Sequence, residues 1–262
     1  MTERTIDAVA AGWSGQFGAH SGQASWRHDR NSQYGHENTV NLGYAFAVAP
    51  GWRLGAAGGT SFNAPSFNQL YWPGFGNPAL QPEEGKQAEL SLRYEQGVHR
   101  AGLQVYEQRM RGYITAGPAP TNVPRARFRG VSLSYDGRLA GWDLTGALDW
   151  TDPRNVTENV ANHDRLLPRR AQRSLKAGAH RDFGAWTAGA TFTAFSHRFD
   201  DAANQTRLPG YGTLDLRADW RFAADWTLQA RLNNLADRRY ETALGYNQPG
   251  REAYLTLRWQ PR

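Results

Sequence analysis

Residues 142–150 read WDLTGALDW. Taking every second residue gives Trp142, Leu144, Gly146, Leu148 and Trp150 on one side, and Asp143, Thr145, Ala147 and Asp149 on the other. Strict alternation marks a β-strand, whose successive side chains point to opposite faces. The apolar side carries an indole at each end, with aliphatic or small residues between. A tilted strand of about 9–11 residues crosses the hydrocarbon layer of a bilayer. Indoles favour the two interfaces of that layer, where the ring meets apolar material and the N–H stays wet. The segment therefore reads as one stave of a transmembrane β-barrel. An amphipathic strand of a soluble β-sandwich has the same alternation, so repetition along the chain has to separate the two.

The pattern does repeat. Alternation predicts about thirteen strands, over residues 7–16, 23–29, 39–48, 52–60, 87–95, 101–109, 128–138, 142–150, 173–181, 186–196, 213–222, 226–233 and 252–259. The first is the weakest, and Glu107 spoils the apolar side of the sixth near its end. A turn of a few residues and a long polar loop are expected to alternate strictly, with residues 30–38 as one loop and 61–85 as the longest. That is an all-β, antiparallel up-and-down meander with one plain rim and one elaborated rim, like the short periplasmic turns and long extracellular loops of outer-membrane barrels. Trp52, Trp142, Trp186 and Trp226 each follow a short turn and open an outbound strand, which predicts an aromatic girdle at the plain rim. Trp150 and Trp259 are expected in the interfacial set as well. An odd strand count puts the two ends on opposite rims, whereas bacterial single-chain barrels have even counts. An open sheet in lipid leaves edges with unpaired backbone groups. Residues 1–262 are therefore expected to be the C-terminal part of a larger barrel, with no plug domain.

Composition limits the alternatives. Hydrophobic residues make up 40% of the 262 and mean hydropathy is −0.69, so no run approaches the length of a membrane helix; a barrel needs none, because only alternate residues meet lipid. Cysteine is absent, which excludes disulfides and thiolate metal sites and fits export through an oxidising compartment. The net charge of +6 comes from 30 Lys and Arg interleaved with 24 Asp and Glu, without a basic tract, which argues against nucleic acid. A cationic lumen and attraction to lipopolysaccharide phosphates explain the balance better. The opening MTERTIDAVAAGW lacks a basic segment followed by an apolar one, so no signal peptide is read there.

Several segments resemble the TonB-dependent outer-membrane receptor family. Residues 59–93, GTSFNAPSFNQLYWPGFGNPALQPEEGKQAELSLR, are similar to the family's strand–loop–strand segment, with aromatic-x-Ala-Pro, Leu-Tyr, Gly-Asn-Pro-x-Leu-x-Pro-Glu and then Glu89. RARFRGVSLSY resembles a family strand start, with Ser132 where Glu is usual, and LLPRRA resembles a family loop end. NNLADRRYETALGYNQPGREAYLTLRW resembles the Asn-Leu-x-Asp-x-x-Tyr element and final strand, although Gln-Pro-Arg follows Trp259. Gly245-Tyr246 and Pro249-Gly250-Arg251 are most similar to the cobalamin (vitamin B12) receptor branch. The resemblance implies a barrel of roughly 22 strands around a plug and an outer-membrane receptor for cobalamin or a related corrinoid, with a ferric siderophore as the alternative ligand. It also implies contact with the TonB complex through a plug not seen here, surrounding outer-membrane lipid and lipopolysaccharide, and insertion by the barrel assembly machinery. No cofactor and no metal is expected.

High-affinity capture needs a concave mouth with aromatic faces and a few polar groups. Tyr71, Trp72 and Phe75 in the longest loop, and Tyr211, Tyr246 and Arg251 at the ends of later ones, are the candidate ligand contacts. Asp215, Arg217, Asp219, Arg221, Arg231 and Arg258 fall on the polar side, as plug contacts or as solvated wall charges. Two other classes compete. A hydrolase needs a nucleophile, base and orienter; the seven His are isolated, and His28–Asp29 near the outer rim is an adjacent base–acid pair that chance explains. A passive pore needs a constricting inward loop. No catalytic residues are assigned and no enzyme is expected.

Overall fold

The structure, a computed structural model, describes residues 3–115 and 119–261. The loop predicted between residues 114 and 128 therefore includes positions 116–118 that lie outside the described residues, as do residues 1, 2 and 262. The described residues form fifteen strands and one short helix, in chain order: β1 Ile6–Phe17, β2 His20–Asn31, β3 Gly35–Ala49, β4 Trp52–Asn63, α1 Phe67–Tyr71, β5 Glu83–Gln96, β6 His99–Ile114 and β7 Asn122–Leu139. Then come β8 Trp142–Asn155, β9 Arg173–Asp182, β10 Trp186–Phe195, β11 Arg198–Phe199, β12 Arg207–Leu208, β13 Tyr211–Ala223, β14 Trp226–Asn233 and β15 Glu252–Trp259. Thirteen of them form one antiparallel sheet in sequence order, with β11 and β12 set apart as a two-stranded ribbon. Among the described residues β1 and β15 are not paired with each other, so the sheet is an open partial barrel. No described helix is long and apolar enough to cross a membrane, which says nothing of strands.

Register carries the alternation of residues 142–150 across the sheet. Leu148 faces Leu133 on β7 and Leu175 on β9, and Leu133 in turn faces Leu103 on β6, which faces Leu92 on β5. A one-residue slip would throw every one of these to the other face, so the apolar pattern itself fixes the pairing. On the opposite face Asp149 accepts hydrogen bonds from Ser132 Oγ at 2.7 Å and Ser174 Oγ at 3.1 Å, and Glu89 accepts from Gln104 Nε2 at 2.6 Å. One face is thus a continuous exposed apolar band, with Leu54, Leu90, Leu148 and Leu257 all exposed, and the other a polar network. An exposed apolar surface of this extent marks an interaction surface.

Most strands are longer than alternation predicts, and the largest extensions are at the loop rim. There β6 and β7 outrun the apolar band to reach Ile114 and Asn122. The expected long loop at residues 30–38 is overturned: β2 and β3 continue to Asn31 and Gly35, leaving a turn at residues 32–34. Polar residues there were legible as loop, yet cross-strand pairing continues in water once the ladder is nucleated. Pro153 lies within β8, where β8 has outrun β9; pairing to β9 stops at Trp150, and proline is tolerated at such an edge. Small cores sit at this rim instead of between layers. Tyr113, Val123, Ala126 and Leu167 form one, and Leu70, Leu80 and Ile114 the other.

Candidate functional site

The loop over residues 64–82 is folded. Ser66 caps α1: its Oγ accepts from Gln69 N at 3.2 Å while Gln69 Oε1 accepts from Ser66 N at 2.8 Å, a reciprocal capping box. The chain then doubles back, with Gly76 N donating to Trp72 O at 2.7 Å. A Cβ on Gly76 would lie 2.7 Å from three backbone atoms of Leu70, Tyr71 and Trp72, so only glycine fits. Leu70 and Leu80 anchor the loop from below. Tethers come from Arg4 Nη1 to Pro65 O at 2.8 Å, Asn77 Nδ2 to Pro120 O at 3.0 Å and Gln81 N to Asn122 Oδ1 at 2.9 Å. Because the aliphatic residues take the interior, Tyr71, Trp72 and Phe75 are left on the surface, Trp72 at 58% exposure. They form an aromatic platform on a fixed backbone.

A second group lies where the loops over residues 156–172, 196–210 and 234–251 meet. Tyr211, the first residue of β13, stacks on Tyr240 with centroids 3.9 Å apart. Burial raises the phenol pKa of Tyr240. The Arg198 guanidinium lies 5.5 Å from the Phe195 ring centroid and 5.6 Å from that of Tyr211. Arg198 is buried, and its Nε and Nη2 have no hydrogen-bond partner among the described residues; the ring faces offer the cation its compensation. Asp200 joins all three loops: its carboxylate accepts from Arg169 Nε at 2.7 Å and from Leu244 N at 3.1 Å. The Arg169 hydrogen bond holds the Asp200 carboxyl below the usual carboxylate range, against partial burial, with the Leu244 amide assisting. Asn234, also buried, accepts from Arg238 N at 2.8 Å and donates to Arg238 O at 2.9 Å. Asp237 Oδ1 accepts from Arg251 N at 2.8 Å, which fixes the backbone that carries Arg251. The Arg251 side chain is in no ion pair among the described residues, and Tyr246 stands out at 68% exposure.

The six expected contacts therefore fall into two clusters. Tyr71, Trp72 and Phe75 share the first platform. Tyr211, Tyr246 and Arg251 belong to the second, with Tyr211 partly covered by Tyr240. Tyr240, Arg198 and the Arg169–Asp200 pair carry this second cluster and are invisible in sequence, because each depends on contacts between loops distant in the chain. The polar face below holds grooves of about 550 Å³, lined by Arg53, Glu89 and Arg93, and about 460 Å³, lined by Asp215, Arg217, Asp219 and Arg231. Arg217 and Asp219 pair at 2.8 Å on this wall.

The indoles lie on the apolar face. Trp52 packs on Tyr94 at 4.8 Å, Trp186 on Trp220 at 5.1 Å with planes 4° apart, and Trp226 on Trp259 at 6.3 Å. Trp142 meets Phe183 edge-on at 6.1 Å under the Arg181 guanidinium. All of these sit at the short-turn rim, while Trp150 lies at the far end of the apolar band opposite Val131. His28 and Asp29 project from opposite faces: His28 Nδ1 lies 3.0 Å from Asn38 Oδ1, and Asp29 is clasped by Arg27 at 2.6 Å. They make no catalytic pair. Among the described residues no three His, Cys, Asp or Glu are grouped so as to hold a metal ion.

Residues 2–235 match the family described as TonB dependent receptor-like, beta-barrel. The chain is 30% identical over 230 residues to the vitamin B12 transporter BtuB of Vibrio vulnificus, covering 84% of this chain and 36% of that protein. It is 30% identical over 257 residues to the BtuB of Photobacterium profundum, covering 91% and 40%. The chain thus spans well under half the length of these curated relatives. Among solved structures, the siderophore receptor PiuA from Acinetobacter baumannii superposes with a TM-score of 0.82 at 16% identity, over 98% of this chain and 44% of that one. The ferric enterobactin receptor PfeA from Pseudomonas aeruginosa does so at 0.79 and 18%, over 98% and 45%. At such identities these two establish the fold alone.

Proposed function

The chain belongs to the TonB dependent receptor-like β-barrel family, and on that premise we propose that it is the C-terminal barrel portion of an outer-membrane receptor that takes up cobalamin or a related corrinoid. The observation that carries the ligand is the 30% identity to two vitamin B12 transporters over 84% and 91% of the chain. The open edges of β1 and β15 support a barrel completed by further strands, since unpaired backbone groups are not tolerated in hydrocarbon. In this reading the apolar band faces lipid, and Trp52, Trp142, Trp186, Trp226 and Trp259 form the periplasmic girdle, with Trp150 at the other interface. The polar face lines a lumen that a plug fills, and that plug makes the contact with the TonB complex. Tyr71, Trp72, Phe75, Tyr211, Tyr246 and Arg251 contact the ligand from the outer rim.

The mechanism asked of this chain is capture. A corrinoid offers a broad, partly apolar face rimmed by amide side chains. Exposed aromatic rings on a fixed backbone bury its apolar face at little ordering cost, and Arg251 donates to its carbonyl oxygens. The test is equilibrium binding, followed by tryptophan quenching, of cobalamin and of a ferric catecholate siderophore. Cobalamin binding that weakens in Trp72→Ala and Tyr246→Ala supports the proposal. Siderophore binding without cobalamin binding replaces the ligand and leaves the fold untouched.

A further inference from the structure

On the apolar face, each of four neighbouring strands passes from its last apolar residues into charge at the loop rim. Along β5 the series is Leu90, Ala88, Lys86; along β6 it is Val105, Glu107, Arg109; along β7, Val131, Arg129, Arg127; along β8, Trp150, Asp152, Arg154. Register places Lys86 opposite Arg109, Arg109 opposite Arg127, and Arg127 opposite Arg154. Four cations thus lie side by side in an unbroken row across four strands, each pair about 5 Å apart at Cβ. Like charges directly opposite one another are unfavourable in a sheet, so such a row needs a counter-charge.

The protein supplies only part of it. Glu107 binds Arg109 at 2.6 Å and Asp152 binds Arg154 at 2.7 Å. Asp152 is also the nearest carboxylate to Arg127 at 3.8 Å and to Arg129 at 3.6 Å; Arg154 has a second partner in Asp164 at 3.4 Å, whereas Arg127 and Arg129 have only the shared Asp152 among the described residues. Lys86 and Arg111 are in no ion pair among the described residues. Arg127 Nε is buried and has no hydrogen-bond partner there either. A groove of about 600 Å³ is lined by five cations, Lys86, Arg109, Arg111, Arg125 and Arg127, against three carboxylates, Glu37, Glu84 and Glu158, the last of them 3.9 Å from Arg125. Directly below it lies the aliphatic wall of Leu90, Val105, Leu133 and Leu148, all exposed.

We propose that this row is a docking site for a phosphorylated amphiphile, with two phosphate groups held across Lys86, Arg109 and Arg127 and the acyl chains laid on the aliphatic wall beneath. The occupant is fixed by charge complementarity and by continuity with the apolar band: a soluble phosphate uses the first and not the second. Guanidinium forks match phosphate oxygens bidentately, which is why a row rich in Arg suits this ligand. The proposal rests on the reading that the band faces lipid.

The test uses the chain folded into detergent micelles, with lipid retention read by native mass spectrometry. The probes are bis-phosphorylated lipid A, the same lipid with both phosphates removed, and inorganic pyrophosphate as a soluble competitor. Expected is retention of the phosphorylated lipid, at least about tenfold weaker in the triple variant Lys86→Gln, Arg109→Gln, Arg127→Gln. A control with the same loss of charge on the polar face, Arg93→Gln, Arg217→Gln, Arg231→Gln, should retain it fully. Arg109→Gln alone, at a side chain 77% exposed, perturbs folding least and should already weaken retention if the triple variant does not fold. Equal retention of the two lipids, equal loss in the control, or displacement by pyrophosphate at concentrations matching the lipid would each overturn the proposal. A chain that folds in micelles and yet retains both lipids equally overturns only the docking site. A chain that folds in micelles with its apolar band turned away from the detergent, read by quenching of Trp150 with a detergent-soluble quencher, overturns the lipid-facing reading and the site with it.

Discussion

Replacing Arg169 with alanine should loosen three outer loops at once. Arg169 Nε and Nη2 donate to the two carboxylate oxygens of Asp200 at 2.7 and 3.3 Å, and Leu244 N donates to the same carboxylate at 3.1 Å. Both side chains are less than a third exposed, 24% for Arg169 and 14% for Asp200, so the pair is only partly screened by solvent. Hydrogen bonds to charged groups contribute about 1.5–3 kcal/mol, and truncating one partner also leaves a half-buried carboxylate. Arg169 itself is held at φ +61°, a left-handed conformation costing about 1–2 kcal/mol that its contacts must hold in place. An increase of roughly 10- to 150-fold in the open population follows from the hydrogen-bond loss alone, at 1.4 kcal/mol per decade. Hydrogen–deuterium exchange read on peptides from residues 163–172, 196–210 and 240–247 measures it. All three should exchange faster in Arg169→Ala, and peptides from the sheet should not. Faster exchange confined to 163–172 would refute the idea that this pair couples the loops.

Acid should do the same to the native chain. The Asp200 carboxyl is lowered in the folded state by Arg169, so its contribution is present above the unfolded value of about 3.9 and is lost as pH falls through the lower folded value; exchange in those peptides should rise there, and Asp200→Asn should flatten the dependence. Gly146, on the apolar face with nothing within 4 Å of an added Cβ, offers a clean probe of the band. Gly146→Arg should destabilise folding into lipid by about 2–4 kcal/mol while Ala147→Arg on the polar face costs little, measured by urea titration in vesicles. Gly112 has φ +65° and its Cβ would lie 2.5 Å from Pro82 O; Gly112→Ala should lower the thermal midpoint and disturb the junction of β6 with the loop over residues 64–82.

Every strand of the sheet was legible because one physical constraint repeats: an apolar side chain at alternate positions over about one membrane thickness. Residues 226–233 and 252–259 coincide with β14 and β15 as observed. The weak first strand became a full one, Ile6–Phe17, because β2 supplies a partner along its whole length. Alternation fades where strands leave the apolar zone, so the extensions to Asn31, Ile114 and Asn155 read as loop. The platform of Tyr71, Trp72 and Phe75 was legible as an aromatic loop, yet the cap at Ser66 and the close approach at Gly76 that make it rigid emerge only in three dimensions. Tyr240 and Arg198 gave no signal, since an aromatic stack or a buried guanidinium depends on which loops meet.

The lipid-facing band is tested most directly by a nitroxide scan of residues 142–150 in vesicles. The chain has no cysteine, so each single-Cys variant labels at one position. Oxygen, which partitions into hydrocarbon, should reach labels at positions 144, 146 and 148 far more readily than those at 143, 145 and 147, and a water-soluble relaxant should show the inverse order. Accessibility without a two-residue period, or the period with its phase reversed, would contradict a membrane-spanning strand with Leu144 and Leu148 in lipid.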